Sequence, residues 1–416
     1  MKSWIAYGKE KLYFDLPENA EIVEVALSHH EPSEAPEVII NNALENPIGA
    51  FKIEDIVKKG HKICIISDDI TRPTPVGLIL DALMPRLLKA GISEEDIFIL
   101  IALGSHRKMT DEELSAKLGN YALSIKVVQS QFSSDDASIR IGTSTKGNPV
   151  LVQKSAMEAD IRIGIGNIVP HNTLGWSGGA KIVFPGIADE SSVAEFHMQA
   201  ALHEEALFGT VENPVRHEVE SWAKEMGLTF IINTVLSREC KLIDCVAGDY
   251  VKAHREGVKK AEKIYGVPIK EKFDIVIADM EPYSFDFWQG TKALNASVKM
   301  VKEGGTVIMS GPCEEGVGPH PEYLDFMGMR GLKSPDESAE EDPLAVSVGF
   351  MIGKQMKHFD TMMYTEGLTE DELKRAGIKK ITDIGKEIEY ILKDTQGPVK
   401  IALVRDGSEV LPVMKS

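Results

Sequence analysis

Apolar residues in this chain fall into short unbroken runs separated by amphipathic stretches. That is the pattern of strands buried on both faces alternating with helices. The run 61–67 (HKICIIS) has strand length and ends in Asp68-Asp69-Ile70-Thr71-Arg72-Pro73-Thr74-Pro75, a proline-stiffened turn. Apolar positions 78, 79, 82, 83, 87 and 88 then predict a helix over 76–89 that stops at Gly91. The run 96–103 (DIFILIAL) predicts the next strand, opening into Gly104-Ser105-His106-Arg107, and Thr110 to Glu113 reads as a capped helix start. The alternation returns with a strand over 159–166 (ADIRIGIG), a glycine-rich turn leading to Lys181, a helix over 190–202, a strand over 228–236 and a helix over 251–265.

Around Val267-Pro268 the pattern starts over. A strand over 273–278 (FDIVIA), a helix over 288–302, a strand over 305–310 and a last strand over 399–405 form a second α/β block. The opening forty residues read as short strands and connections, and 334–343 as an acidic loop. A chain of 416 residues suits two or three domains. The expected division is an α/β domain over 1–268 with the catalytic and anchoring loops, an α/β domain over 269–404 with substrate-binding residues, and a segment 405–416 returning to the first.

Composition narrows the partners. Hydrophobic residues make up 43% and charged residues 26%, an ordinary globular balance, while the formal net charge of −18 repels phosphodiester backbones and anionic lipid. Neither nucleic acid nor a membrane is expected as a partner, although a local basic site can override the average field. Cys64, Cys240, Cys245 and Cys313 form no Cys-x-x-Cys pair and suit buried free thiols in a reducing compartment. With no signal-peptide pattern and no long apolar span, the expected location is the cytoplasm.

Ligands of open parallel sheets bind beyond the carboxyl ends of the strands. There the sequence places Asp69 and Arg72, then His106, then His171 followed by Lys181, and in the second block Gln289 and Lys292. The 69–72 turn, with the planar fork of Arg72, suits an anionic group; the plainer alternative is a turn with Asp69 as helix cap. His106 and His171 suit proton exchange, or are merely solvated loop histidines. Gly175-Trp176-Ser177-Gly178-Gly179-Ala180-Lys181 presents a lysine beside a backbone-lined pocket, suited to a covalent anchor, or is a tight turn with a surface lysine. It is not a Walker A loop, and Gly164-Ile165-Gly166 lacks the third glycine of the dinucleotide fingerprint. His197 sits on a helix with Val193 and Ala201 one turn to either side, so no second histidine shares its face, and by itself it is a weak metal signal.

Taken together, 67–75, 104–107, 170–186 (PHNTLGWSGGAKIVFPG), His197 and Gln289-Gly290-Thr291-Lys292 resemble the nickel-dependent lactate racemase family. The resemblance implies two Rossmann-like α/β domains with the active site in the interdomain cleft. It implies a 2-hydroxy acid racemase or epimerase using a nickel-pincer nucleotide, a pyridinium-3-thioamide-5-thiocarboxylic acid mononucleotide joined to Lys181. Nickel would be held by the cofactor's two sulfurs, its pyridinium carbon and His197, soft donors that favour nickel over a hard cation. Asp69, Thr71 and Arg72 would hold the phosphate and ribose, with Gly178 and Gly179 lining the approach. The α-proton beside an ionised carboxylate is too weakly acidic for an unaided side-chain base, so the family removes hydride, and His106 and His171 exchange the hydroxyl proton. Arg72, Gln289 and Lys292 would meet the substrate, with Trp288 and Thr173 shaping its pocket.

Asn172, Thr173 and Trp288 depart from the lactate enzyme and hint at a more polar hydroxy acid. The implied partners are a small 2-hydroxy acid and cofactor-biosynthesis proteins; a homo-oligomer is compatible with the reading. Two alternatives compete. A metal-dependent hydrolase would need three protein ligands from Asp69, His106, His171 and neighbours. A non-catalytic protein binding phosphorylated metabolites would use the 67–75 and 175–181 loops. A nicotinamide dehydrogenase ranks below both.

Overall fold

The computed structural model describes residues 1–131, 135–332, 342–393 and 397–415; most of the acidic loop expected at 334–343 therefore lies outside the described residues. The chain divides into two compact units. The first comprises His29–Phe196 and Thr210–Ile264, the second Met1–Ser28, His197–Gly209 and Tyr265–Ser416.

The first unit is built on a six-stranded sheet in the order Leu242–Gly248, Leu228–Leu236, Ile161–Asn167, Ile63–Asp68, Ile97–Ala102, Lys126–Gln129. All neighbours pair in parallel except the Leu242–Gly248 edge, which runs antiparallel. Every residue of Ile63–Asp68 and Ile161–Asn167 is buried, which is why these strands read as continuous apolar runs. The helix Val76–Lys89 turns Val76, Ile79, Leu80, Leu83, Met84 and Leu87 into the core beside them. Thr110 and Glu113 form the capping box anticipated from their spacing. Because Ile63–Asp68, Ile97–Ala102 and Ile161–Asn167 are parallel, the loops after them, with Asp69, His106 and His171, leave the same edge of the sheet.

The second unit has its own six-stranded, all-parallel sheet, ordered Lys379–Ile381, Asp360–Tyr364, Val301–Ser310, Phe273–Asp279, Val399–Val404, Ala20–Val25. Here the linear division expected from sequence fails. Residues 20–25, assigned to the first domain, pair with Val399–Val404 as the edge of this sheet. The segment expected to return to the first domain instead lays Leu411–Met414 beside Gly266–Ile269, within the second unit. Edge strands join a sheet through backbone hydrogen bonds, which leave no mark in side-chain periodicity to say which sheet they join. The single helix expected over 288–302 is two: Phe287–Gly290, capped by Asp286, and Lys292–Met300, after which Val301 already begins a strand. Cys64, Cys245 and Cys313 are buried free thiols as expected, whereas Cys240 is exposed. No described helix is long and apolar enough to cross a membrane.

Deleting residues 1–28 would strip the edge from the second unit's sheet and uncover Val399–Val404. The truncated chain is expected to unfold at a lower urea midpoint than the full chain. An equal midpoint would show that the pairing contributes nothing to stability.

Candidate functional site

The strand Ile63–Asp68 ends in two carboxylates with different tasks. Asp68 meets the ammonium of Lys117 at 2.8 Å and accepts a hydrogen bond from the Thr74 hydroxyl. Burial pushes the Asp68 carboxyl up, with Lys117 and Thr74 pulling against it. Lys117 also donates to the Arg72 carbonyl at 2.6 Å, tying the 68–75 turn to the helix Asp111–Leu118. Asp69 uses Oδ1 to accept from the Thr71 amide at 3.0 Å and the Thr71 hydroxyl at 2.5 Å, and Oδ2 to meet His106 Nδ1 at 2.6 Å. Burial opposes its ionisation, but the His106 hydrogen bond and charge, then Thr71 and Arg72, outweigh that and hold it at about 2.

This removes the plainer alternative reading of the turn. Asp69 does not cap the following helix, which begins at Val76. Asp69 and Thr71 bond to each other, and the remaining carboxylate oxygen faces an imidazole.

The segment after Ile161–Asn167 is irregular and nearly all buried, so its backbone polar groups need partners. Pro170–His171 pairs with Gly175–Trp176 as a minimal hairpin. Ser177 bridges from its hydroxyl to the Asn167 carbonyl and receives the Val169 amide, both at 2.8 Å. The fully buried Arg216 donates to the Leu174 carbonyl at 3.1 Å and to the Trp176 carbonyl. His254 Nε2 donates to the Ser177 carbonyl at 2.8 Å, and Asn233 Oδ1 accepts from the Gly179 amide at 2.8 Å. Burial, reinforced by Arg216, pushes the His254 imidazole well below its ordinary range, so it serves as a neutral donor. Gly178 and Gly179 have φ of +77° and +61°. A Cβ on Gly178 would meet Asn233 and Ile168 at 2.8 Å, and one on Gly179 would meet His254 at 3.0 Å. The structure thus gives these glycines a reason within the protein itself: backbone conformation and close packing.

The clamped turn delivers Lys181 on a single 3₁₀ turn, Gly179–Ile182. Burial lowers its amine to about 7, with the Arg72 and Arg216 guanidiniums adding to the effect and Asp69 and Asp68 opposing it. A substantial part of such an amine is neutral near physiological pH, and the neutral form is the nucleophile. His171 lies on the hairpin, its Nδ1 receiving the Thr173 amide at 3.3 Å with the Thr173 hydroxyl at 3.0 Å. Thr173, expected to shape the substrate pocket, is only 1% exposed and turned to His171.

In the second unit Asp286 caps the helix Phe287–Gly290 through the Gln289 amide at 2.7 Å. Gln289 Oε1 accepts from Lys292 Nζ at 2.6 Å, and that ammonium lies 3.9 Å from the centre of the Tyr283 ring. An amide and an ammonium presented together suit a carboxylate. Trp288 packs edge-on against Tyr323 at 4.9 Å, with the His320 ring at 5.5 Å. His197 lies on the helix Glu190–Leu202, whose preceding residue Phe196 belongs to the first unit while His197 belongs to the second. Among the described residues no three or more His, Cys, Asp or Glu side chains group to hold a metal, so Asp69, His106 and His171 do not form the centre that a protein-liganded hydrolase needs.

Sequence reading missed Arg216, His254, Asn233 and Lys117. Arg216 and His254 sit on helices whose charged residues read as a solvated face, and Asn233 lies within an apolar strand. Only the path of the 170–186 segment shows what they hold.

Comparison with known proteins agrees with this architecture. Residues 7–209 match the family described as the lactate racemase N-terminal domain. The lactate racemase of Thermoanaerobacterium thermosaccharolyticum is 30% identical over 424 residues, covering 98% of each chain. That of Lactiplantibacillus plantarum is 34% identical over 302 residues, covering 71% of this chain and 70% of its own. The solved structure of the T. thermosaccharolyticum lactate racemase apoprotein superposes with a TM-score of 0.87 at 28% identity, over 99% of this chain and 100% of that one. A Thermotoga maritima protein structure shares the fold, with a TM-score of 0.72 at 21% identity over 93% of this chain.

Competitive labelling of lysine amines, read by mass spectrometry across pH, is expected to give Lys181 a midpoint near 7, far below the surface lysines. The Arg216→Met variant should shift that midpoint upward; a Lys181 midpoint indistinguishable from the surface lysines would refute the lowered amine.

Proposed function

The chain belongs to the lactate racemase family and is an isomerase, and from that premise we propose that it inverts the hydroxyl-bearing carbon of a 2-hydroxy acid through a nickel-pincer nucleotide joined to Lys181. The observation that carries the reading is the glycine turn itself. Three side chains far apart in sequence, Asn233, Arg216 and His254, fix the backbone that presents one lysine, and that lysine has a lowered amine pKa. A plain structural turn needs no such amine.

The residues present fit the proposed group. Lys181 supplies an amine for one arm of the nucleotide, and Arg72 a guanidinium for its anionic part. His197 is the side chain we assign to the nickel, the other donors belonging to the nucleotide. When bound, the group supplies the carbon that takes up and returns the α-hydrogen with its electron pair.

The chain's own residues do the rest. Lys292 and Gln289 hold the substrate carboxylate, the ammonium by charge and the amide by direction. Asp69 fixes the ring of His106, and Thr173 that of His171, so both imidazoles are oriented before substrate arrives. These two rings serve the substrate's hydroxyl oxygen, from which a proton must leave as the planar 2-oxo acid forms and to which one must return. Lactate, which the relatives are named for, is the substrate we put first. Cofactor-biosynthesis proteins and a cytoplasmic location complete the reading.

The test is intact-mass spectrometry of protein produced with and without cofactor-biosynthesis proteins, followed by a chirality-resolved assay on lactate and larger 2-hydroxy acids. A mass increment on the wild type that is absent from Lys181→Ala is expected, together with loss of racemisation. Full turnover in Lys181→Ala would refute the anchor. His197→Ala is expected to keep the mass increment and lose nickel, as measured by elemental analysis; unchanged nickel would show that another group is the ligand. Gln289→Ala is expected to raise KM with kcat less affected, by roughly tenfold for one charge-assisted hydrogen bond of about 1.5 kcal/mol.

A further inference from the structure

We infer that the second unit binds a small organic anion of two or more charges in a lysine-lined cavity at the amino-terminal edge of its sheet, and that Lys354 links the bound anion to the end of the helix that carries His197.

The cavity measures about 320 Å³. Lys272, Lys302, Lys354 and Lys357 line it, and all its lining residues belong to the second unit. Lys272 stands just before the strand Phe273–Asp279, Lys302 at the start of Val301–Ser310, and Lys357 shortly before Asp360–Tyr364. These strands are parallel, so the cavity lies at their amino ends. Gln289 and Lys292 follow the carboxyl end of Phe273–Asp279, at the opposite edge. The cavity is therefore separate from the pair assigned to the substrate carboxylate.

Its charge runs against that of the chain. The sequence carries 64 acidic and 46 basic residues, yet this wall offers four lysines against two glutamates, Glu204 and Glu303. The Glu303 side chain is 85% exposed and meets His358 at 3.3 Å, so it does little to neutralise the interior. Lys302 is already paired with Asp274 at 2.7 Å. Among the described residues, Lys272, Lys354 and Lys357 have no carboxylate within ion-pair distance. Lysines near a helix end commonly serve its free carbonyls. Here Arg330 has that duty, donating to the Met356 carbonyl at 3.0 Å and the Phe359 carbonyl at 3.2 Å at the end of the helix Pro343–Met356. The lysine charges are left for an outside partner. Val301 and Phe359, apolar and buried, stand on the same wall and suit a carbon body beside the charged groups. At about 30 Å³ per water the space equals roughly ten waters, the scale of a small metabolite.

Lys354 ties the cavity to its neighbour. Its Nζ donates to the His203 carbonyl, one residue beyond the helix Glu190–Leu202. Burial pulls this ammonium below the ordinary lysine range; Lys357 adds to the effect and Glu204 opposes it. An ammonium has three N–H donors, so two remain for an anion. An anion between Lys354 and Lys357 offsets their repulsion, keeps Lys354 charged and so strengthens its hold on the carbonyl. What this means for nickel rests on the racemase reading; the anion site does not.

Isothermal titration of the full chain at low salt tests the site, with glycerol 3-phosphate and citrate as probes and neutral glycerol as control. One equivalent of anion is expected to bind, the tighter probe telling phosphate from carboxylate, and glycerol is expected not to bind. Lys272→Gln and Lys357→Gln should each weaken binding roughly tenfold, as for one charge-assisted hydrogen bond, whereas Lys9→Gln, on an exposed turn, should not. No binding of either anion, or equal affinity in the wild type and the two cavity variants, overturns the site. Binding lost in Arg72→Gln but kept in the cavity variants places the anion in the first unit and overturns it as well. Hydrogen exchange read by mass spectrometry tests the link. Saturating anion is expected to slow exchange in the last turn of Glu190–Leu202 in the wild type and in Lys9→Gln, but not in Lys354→Met. Unchanged exchange in the saturated wild type, or equal slowing in Lys354→Met, overturns the link. Both readouts are taken without cofactor, so a chain that racemises no hydroxy acid sinks the racemase reading and leaves this inference to its own tests.

Discussion

The first unit depends on satisfying the backbone of an irregular buried segment. Residues 168–180 are buried apart from His171 and Asn172, yet they form no regular ladder beyond a two-residue hairpin. Unpaired carbonyls there would cost about 1–3 kcal/mol each. Arg216 meets two of them from inside the core, and His254 meets a third. Arg216 is not itself stranded: Glu220 lies 3.7 Å away, and Arg255 links Glu220 to Glu212 at the surface. The helices Pro214–Met226 and Lys252–Tyr265 thus serve as the far wall of the turn that ends in Lys181.

The same network sets the chemistry of the edge. The guanidinium that holds the turn also lowers the Lys181 amine, so scaffold and reactivity share one charge. A similar economy runs through the neighbouring loop. Lys117 compensates Asp68 and ties down Arg72's backbone, which leaves Asp69 free of Lys117 and committed to His106. Two adjacent carboxylates are thereby kept in opposite electrostatic situations, one pushed up and one held down, without either being left unpaired.

The two imidazoles show why residue type alone is a coarse guide to role. In sequence, Gly-Ser-His-Arg and Pro-His-Asn-Thr offer equivalent loop histidines. In the fold, one ring meets the Asp69 carboxylate and the other the amide and hydroxyl of Thr173, so their surroundings differ although their sequence settings look alike. The aspartate responsible reads from sequence as a phosphate contact, and the threonine as a lining of the substrate pocket. In the fold each also meets the ring of a neighbouring histidine.

By itself the sequence determined the α/β class, the parallel strands Ile63–Asp68, Ile97–Ala102 and Ile161–Asn167, and the collection of Asp69, His106, His171 and Lys181 beyond their carboxyl ends. Those facts follow from strands buried on both faces, which leave an unmistakable apolar run, and from glycines and prolines that mark where each run stops. The family was legible too, because its most specific stretch, 170–186, is contiguous. Tertiary structure alone decided which sheet Ala20–Val25 and Leu411–Met414 would join, since edge pairing is made by backbone groups that every residue carries. It alone decided that Arg216, His254 and Asn233 hold the lysine turn, and what stands behind each histidine. Those are contacts between residues distant in the chain, and hydrogen-bond direction is a property of how they meet rather than of either residue.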